Sequence, residues 1–311
     1  MALCKCDAGG GNTGRPSCFG VFDVTKKAIL VEYRNSAGEV NGIDISTLTN
    51  GILDQSYLDA RIKDVNPKTR WYPTPELKNV TDERDEDITE EFEDSSSVFI
   101  QEGQRSFEGL ILKGDPVLVG NMKSWRCVNM GVFFIDKSGQ LIGKVTRDGF
   151  LDPIQVSDQT FSVGLIKTTD TTIQKASVKF RVSQLEDDAD LRMLDNATAD
   201  LLGAEGLIDV VSETPTNVST TGFEAQLNTG YGGLTSLVAA EGMEVTDFYA
   251  FNQTTSLAVV ITSVTETPTI PGHYTFVFAA QTSADVIAVS NPLVGPLDKS
   301  YDLAKFTVTI P

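Results

Sequence analysis

Apolar and polar residues alternate along much of this chain, and the alternation is cleanest between Arg105 and Leu112. Ser106, Glu108, Leu110 and Leu112 fall on one face and Phe107, Gly109 and Ile111 on the other, the two-residue period of a half-buried strand. Ile88–Phe92 alternates more loosely. The two runs predict a hairpin with one buried and one polar side. Glu102-Gly103 is the expected turn, because glycine accepts positive φ at no steric cost. Gly109 inside a strand is expected where a neighbour approaches closely.

Further strands are predicted at Phe19–Val24 and Ala28–Tyr33, joined by a turn at Thr25-Lys26-Lys27, and at Val40–Ile45. Ser46 or Thr47 is expected to cap a short helix running through Leu58 and Ile62. The proline-rich Asn66–Pro75 reads as a loop that packs on something through Trp71 and Tyr72. Val117–Val119, Trp125–Asn129 and Val132–Ile135 read as strands. Asp136–Gly139 then turns the chain into Leu141–Val145, a second hairpin. Thr160–Ile166 and Ala176–Val182 follow. Ser183-x-x-Glu186 has the form of a capping box. It predicts a second helix, with Leu191, Leu194, Ala197 and Leu201 on one stripe and Glu186-Asp187-Asp188 in the first turn.

Near residue 205 the composition changes. Residues 1–204 hold 32 acidic and 23 basic side chains; residues 205–311 hold 11 and 2, the cations being Lys299 and Lys305. Strand-like runs recur at Leu207–Val211, Phe223–Leu227, Leu234–Ala239, Val245–Phe251, Leu257–Val264, Tyr274–Ala279, Val286–Val289 and Phe306–Ile310. That spacing predicts an immunoglobulin-like β-sandwich, although no Cys…Trp…Cys framework is present. The expected organisation is an arm over residues 1–18, a β domain over 19–204 and a sandwich over 205–311. The fold class is mainly β: an antiparallel sandwich or barrel-like core with one or two short helices, plus the C-terminal sandwich.

The net charge of −18 and pI near 4.4 argue against binding nucleic acid by phosphate neutralisation, though not against standing beside it and repelling it. The acid concentrates in Asp82–Asp94, where nine of thirteen residues are carboxylates and only Arg84 is basic. A solvated loop, a calcium loop and a negative wall are the three readings. The calcium loop lacks the glycine its sharp turn needs. No signal-peptide pattern or membrane-length apolar run is visible, so the sequons at Asn79, Asn196, Asn217 and Asn252 are expected to be chance.

Chemistry is scarce. Gly9, Gly11 and Gly14 fit G-x-G-x-x-G in form, but lack the preceding strand, and Arg15-Pro16 follows where a helix should start. Asp7–Ser17 therefore reads as a flexible or partner-ordered arm, and Cys4–Cys18 is expected to extend from its own domain and contact a neighbouring subunit. Cys4, Cys6 and Cys18, with Cys127, leave zinc, a disulfide and free thiols open. His273 is the lone histidine, and no nucleophile elbow accompanies it, so it reads as structural. Trp71 and Trp125 either stack on sugars or pack internally. No enzyme activity, cofactor or metal is expected.

The stretch Glu90–Leu112, an acidic strand, a polar turn with Gly103, then R-S-F-E-G-L-I, resembles the tail tube proteins of long-tailed bacteriophages, relatives of contractile-system tube subunits. The likeness covers roughly residues 20–204; the Cys- and Gly-rich arm falls outside it, and two helices are one more than the family carries. The resemblance implies a β-sandwich core, a homohexameric ring, and rings stacked around an electronegative channel that conducts DNA without specific binding. It further implies an appended immunoglobulin-like domain, other virion proteins as partners, no membrane, and a place in the virion after assembly in the bacterial cytoplasm. Rival expectations are another virion part (head decoration, connector or minor capsid protein) and a carbohydrate-binding or adhesive β-module.

Overall fold

A computed structural model describes residues 21–311 except 94, 95, 148, 195, 197, 295, 298 and 299. The protein is mainly β, and its described residues hold two short α-helices, Gln55–Ile62 and Pro116–Lys123. Its centre is the strand Met130–Asp136, in which every residue is buried. It reads as an unbroken apolar run because both of its faces are covered. Val132 and Phe134 point into one apolar cluster, Phe133 and Ile135 into another.

Met130–Asp136 lies between Thr25–Glu32 and Leu141–Lys144 in a six-stranded sheet edged by Leu191–Leu194 and Tyr72–Pro73. A four-stranded sheet in the order Ser162–Ile166, Lys175–Arg181, Arg105–Leu112, Leu77–Arg84 supplies the opposite wall of the first cluster. Phe107 fills the gap between the sheets, its ring centroid 4.9 Å from both Phe134 and Phe180. The predicted alternation holds: Phe107, Gly109 and Ile111 are buried, and Ser106, Glu108, Leu110 and Leu112 are not. A Cβ on Gly109 would stand 3.3 Å from the Leu77 side chain, the close approach that glycine permits. On the far face of the six-stranded sheet, Gln55–Ile62 and its flanking loops bury Leu58, Ile62 and Trp71.

Residues 210–310 form a separate cluster between two sheets, a β-sandwich. One sheet runs Ile261–Glu266, His273–Phe278, Gly222–Gly233, Ile208–Ser212, Tyr301–Leu303; the other runs Leu257–Val259, Tyr249–Asn252, Val286–Ser290, Phe306–Thr309. The predicted strand Leu257–Val264 breaks at Val260 so that its halves serve opposite sheets. Among the described residues, no sheet is shared between residues 25–194 and 208–309.

Several expectations are corrected. Phe19–Val24 is expected as a strand; among its described residues, 21–24 are exposed, Val24 accepts only the Lys137 amide across from it, and the strand begins at Thr25. Lys27 lies within that strand rather than in a turn, its Nζ donating to the carbonyls of Leu202 and Ala204. The first helix starts later than expected, capped by Asp54 through the Tyr57 amide. Val117–Val119 is helical: Asp115 caps it and Pro116 occupies its first turn, an arrangement that favours helix over strand. Trp125–Asn129 opens as a 3-10 turn.

The capping-box helix after Ser183 is absent. Leu191–Leu194 is a strand paired with Leu141–Lys144, and Ala197 lies outside the described residues. The competing force is electrostatic. Glu186 turns inward to the Lys144 ammonium at 2.6 Å, both side chains under 10% exposed, and accepts from the Gln155 amide. Burial pulls the Lys144 ammonium down, but hydrogen bonds with Glu186 and Tyr33 outweigh it and hold it above its ordinary range. The raised Lys144 value therefore contributes stability that is fully present at neutral pH and is lost as pH rises through the lysine range. Glu186→Ala leaves a buried unpaired ammonium and is expected to lower the unfolding free energy by about 3 kcal/mol. Glu186→Gln, which keeps an acceptor for both donors, should lose less. Urea denaturation at pH 7 measures both.

Candidate functional site

The predicted hairpin is nested rather than simple. Arg105–Leu112 pairs with Leu77–Arg84, and the chain between them folds into a ribbon of its own, Ile88–Glu91 against Ser97–Gln101. The ribbon is closed by the Phe92 amide, which donates to the Ser96 carbonyl at 2.8 Å, so Glu102-Gly103 is not its turn. Among the described residues its strands pair only with each other. Ile88, Phe92, Val98, Phe99 and Ile100 are all exposed. Val98 and Ile100 point to one face and Phe99 to the other, so both faces carry apolar surface. A lone two-stranded ribbon is at best marginally stable in water, and exposed apolar side chains on an unpaired edge invite another chain to cover them.

The root of the ribbon is built from charge. Arg84 and Arg105 are direct cross-strand partners. Two guanidinium groups so placed repel, and three carboxylates offset the repulsion. Asp82 accepts both Nε and Nη2 of Arg105 at 2.6 Å, which holds the guanidinium above its ordinary range despite partial burial. Glu102 accepts from Arg84 Nη1 at 2.7 Å. Asp188 bridges both arginines, at 2.7 Å to Arg84 and 3.2 Å to Arg105. Part of the acidic run is thus structural: Asp82 serves Arg105, and Asp87 accepts from the Gly103 amide. Arg105 is thereby used within its own chain. Glu90 and Glu91 are exposed and make no ion pair among the described residues.

Gly103 is needed for a reason other than positive φ. A Cβ there would sit 1.7 Å from the Asp85 carbonyl oxygen. The chain crosses itself at the root, and only glycine lets the two backbones approach so closely.

Outside the ribbon, the solvent face of the four-stranded sheet carries Lys175, Lys179 and Arg181 at alternate positions. Lys179 pairs with Glu108 at 2.8 Å. Lys113, Lys123 and Arg126 are exposed without ion pairs among the described residues. A cleft of about 870 Å³ lies between residues 25–204 and the C-terminal sandwich and is lined in part by Tyr72, Trp125, Tyr231, Asp209 and Asp302.

The other candidates divide as follows. Trp71 is core, 5.5 Å from the Phe133 ring, and Trp125 packs edge-on against Tyr72 at 4.9 Å, so neither forms an open stacking platform. His273 begins a strand, with Nδ1 3.0 Å from the Thr267 hydroxyl and Nε2 3.7 Å from Glu224. Cys127 is a free, exposed thiol. Cys4, Cys6, Cys18 and the whole arm 1–18 lie outside the described residues, within which no cluster of metal-ligating side chains occurs. No helix among those residues is long and apolar enough to cross a membrane. No protein-family model matches the chain, and no curated protein matches it.

Gly103→Val is expected to force the root apart and unlock the ribbon. Chymotrypsin should then cut at Phe92 and Phe99 at least several times faster, with overpacking costing about 1–3 kcal/mol locally. An unchanged cleavage rate would mean that the crossing does not fix the arm.

Proposed function

We propose that this chain is a virion structural protein, the tail tube subunit of a long-tailed bacteriophage. Copies join into stacked rings around a channel through which DNA passes without specific binding. The observation that carries the reading is the ribbon 88–101, which exposes five large apolar side chains and whose strands, among the described residues, pair only with each other. Burying that surface against a second copy removes apolar area from water at about 25 cal/mol per Å². A head-to-tail contact of this kind closes into a ring when the rotation between copies permits. The surplus of acid supports the second half of the reading, since exposed carboxylates such as Glu90 and Glu91 repel phosphate and keep DNA mobile. The C-terminal sandwich is the appended immunoglobulin-like module in this account. Partners are other copies and other virion proteins, with no membrane, and the location is the virion.

One observation favours a second reading, that of another virion component such as a head decoration, connector or minor capsid protein. The stripe Lys175, Lys179 and Arg181 is a poor choice for the wall of an electronegative channel.

Purified protein viewed by negative stain is expected to form rings or tubes. Replacing Val98, Phe99 and Ile100 by serine should leave the thermal melt of the subunit unchanged and abolish those assemblies. Glu90→Lys with Glu91→Lys should either block rings or yield rings that retain DNA at low salt. Monodisperse monomers of the unaltered chain would remove the self-assembly reading. Rings from the double-lysine variant that stay free of DNA would remove the electrostatic part.

A further inference from the structure

The two halves of the molecule have separate apolar cores, yet they are not joined by the 204–208 connection alone. Leu297 donates its amide to the Lys63 carbonyl at 2.8 Å, and Pro296 bridges to Asp64. The sandwich thus returns to the N-terminal half about ninety residues after leaving it. Beside this backbone contact lies a charge arrangement that neither half can satisfy by itself.

Asp209 and Asp302 occupy the same register on adjacent parallel strands of the sandwich. Side chains at such positions share a face, and like charges placed so are destabilising. The N-terminal half answers each of them. Arg70, with only 4% of its side chain exposed, forms an ion pair with Asp302, which also accepts from Asn291 at 2.6 Å. Asn121, on the helix Pro116–Lys123, donates to Asp209 at 2.7 Å. Arg70 is itself aimed by its own loop: its Nε donates to the Asp64 carbonyl at 2.6 Å, and its guanidinium lies 5.8 Å from the centre of the Tyr72 ring.

We propose that Arg70 is the key of a latch that holds the C-terminal sandwich in one orientation on the N-terminal half, by neutralising the Asp209–Asp302 pair that the sandwich presents. The cleft beside the pair is also lined by Asp115, Tyr231, Tyr72, Glu76, Glu205, Lys27 and Lys113, and of its two lysines Lys27 is spent on the Leu202 and Ala204 carbonyls. No other Lys or Arg makes an ion pair with either carboxylate among the described residues. The Asp209 carboxyl is pushed above its usual range, by the crowding of the cleft first and by Asp302 second, although more than a third of its surface still meets solvent. Arg70 is the one cation acting on Asp209, and it acts in the opposite direction. The latch does not depend on what the chain assembles into.

The test uses the full-length protein and reads the Leu297 amide, which is protected only while the halves are docked. Hydrogen–deuterium exchange is followed on peptides covering 291–303 and 63–70, with peptides from the 130–136 strand as the control for global unfolding. Arg70→Met keeps the aliphatic stem and removes the charge. It is expected to speed exchange at the junction on the order of tenfold to a hundredfold while the control peptides stay unchanged. Asp302→Asn, which strands the arginine from the other side, should do the same. The double variant, Arg70→Met with Asp302→Asn, removes both charges and should exchange more slowly than either single variant, because the pair and not the bulk of either residue holds the latch. Junction exchange at the unaltered rate in both single variants would overturn the proposal, as would a double variant whose effect is the sum of the two. Should Arg70→Met speed exchange in the control peptides as well, Asp302→Asn, altered on a partly exposed carboxylate, carries the same decision.

Discussion

The strand Met130–Asp136 is the constraint on which the N-terminal half depends. A strand sealed on both faces has no solvent side, so every one of its seven residues must find a packed partner. The four-stranded sheet supplies partners on one side, and the helix Gln55–Ile62 with its loops supplies them on the other. Its backbone is satisfied along both edges, by Thr25–Glu32 on one side and by Leu141–Lys144 and Ile154–Gln155 on the other. Few sequences tolerate such burial, and the run VFFI does because β-branched and aromatic side chains fit a pleated surface well. Phe107 then fixes how far apart the two sheets stand, since its ring touches both layers.

What was legible in the sequence follows from this. Strands with a two-residue period, such as Arg105–Leu112 and Lys175–Arg181, show one wet face and one buried face, and the pattern reports both. The sandwich strands were legible for the same reason. The helices were harder, because each is only eight residues long and their capping residues compete with similar ones nearby. Ser46 and Thr47 look as good a cap as Asp54. The pair Asp115-Pro116 was the available sign of the second helix, and the β-branched valines after it masked that sign. The missing helix after Ser183 has a different cause. Its local sequence favours a cap, but Glu186 gains more from the Lys144 ammonium, a partner 42 residues away that periodicity cannot reveal.

The candidate surface was half legible. Its acidic run and exposed apolar residues stand out in the sequence, yet the order of pairing does not. Two strand-like runs separated by a polar stretch look like one hairpin. In the structure the outer strands pair across an inserted ribbon, and Gly103 marks the crossing of two backbones rather than a turn. The arginines explain why the insertion is stable. Arg84 and Arg105 face each other across the root, and the carboxylates that neutralise them come from Asp82 on one strand, from Glu102 just before the other, and from Asp188, far along the chain. A composition count assigns these acids to repulsion. In three dimensions some of them hold the arm to the body, and the remainder, Glu90 and Glu91 among them, stay exposed on the arm itself.

Charge scarcity links composition to architecture in the other half. Residues 205–311 contain only Lys299 and Lys305 as cations against 11 acids. A β-sandwich so poor in cations cannot neutralise two carboxylates brought side by side by its own strand register. Either those carboxylates face open water, or a cation must come from elsewhere. Arg70 comes from elsewhere, from a loop whose prolines and buried Trp71 hold its backbone in place. Its own burial would be costly without a carboxylate to meet it. The cost on each side is thus removed by the other. A composition break that looks like independence between two halves is, at this junction, what makes one half need the other.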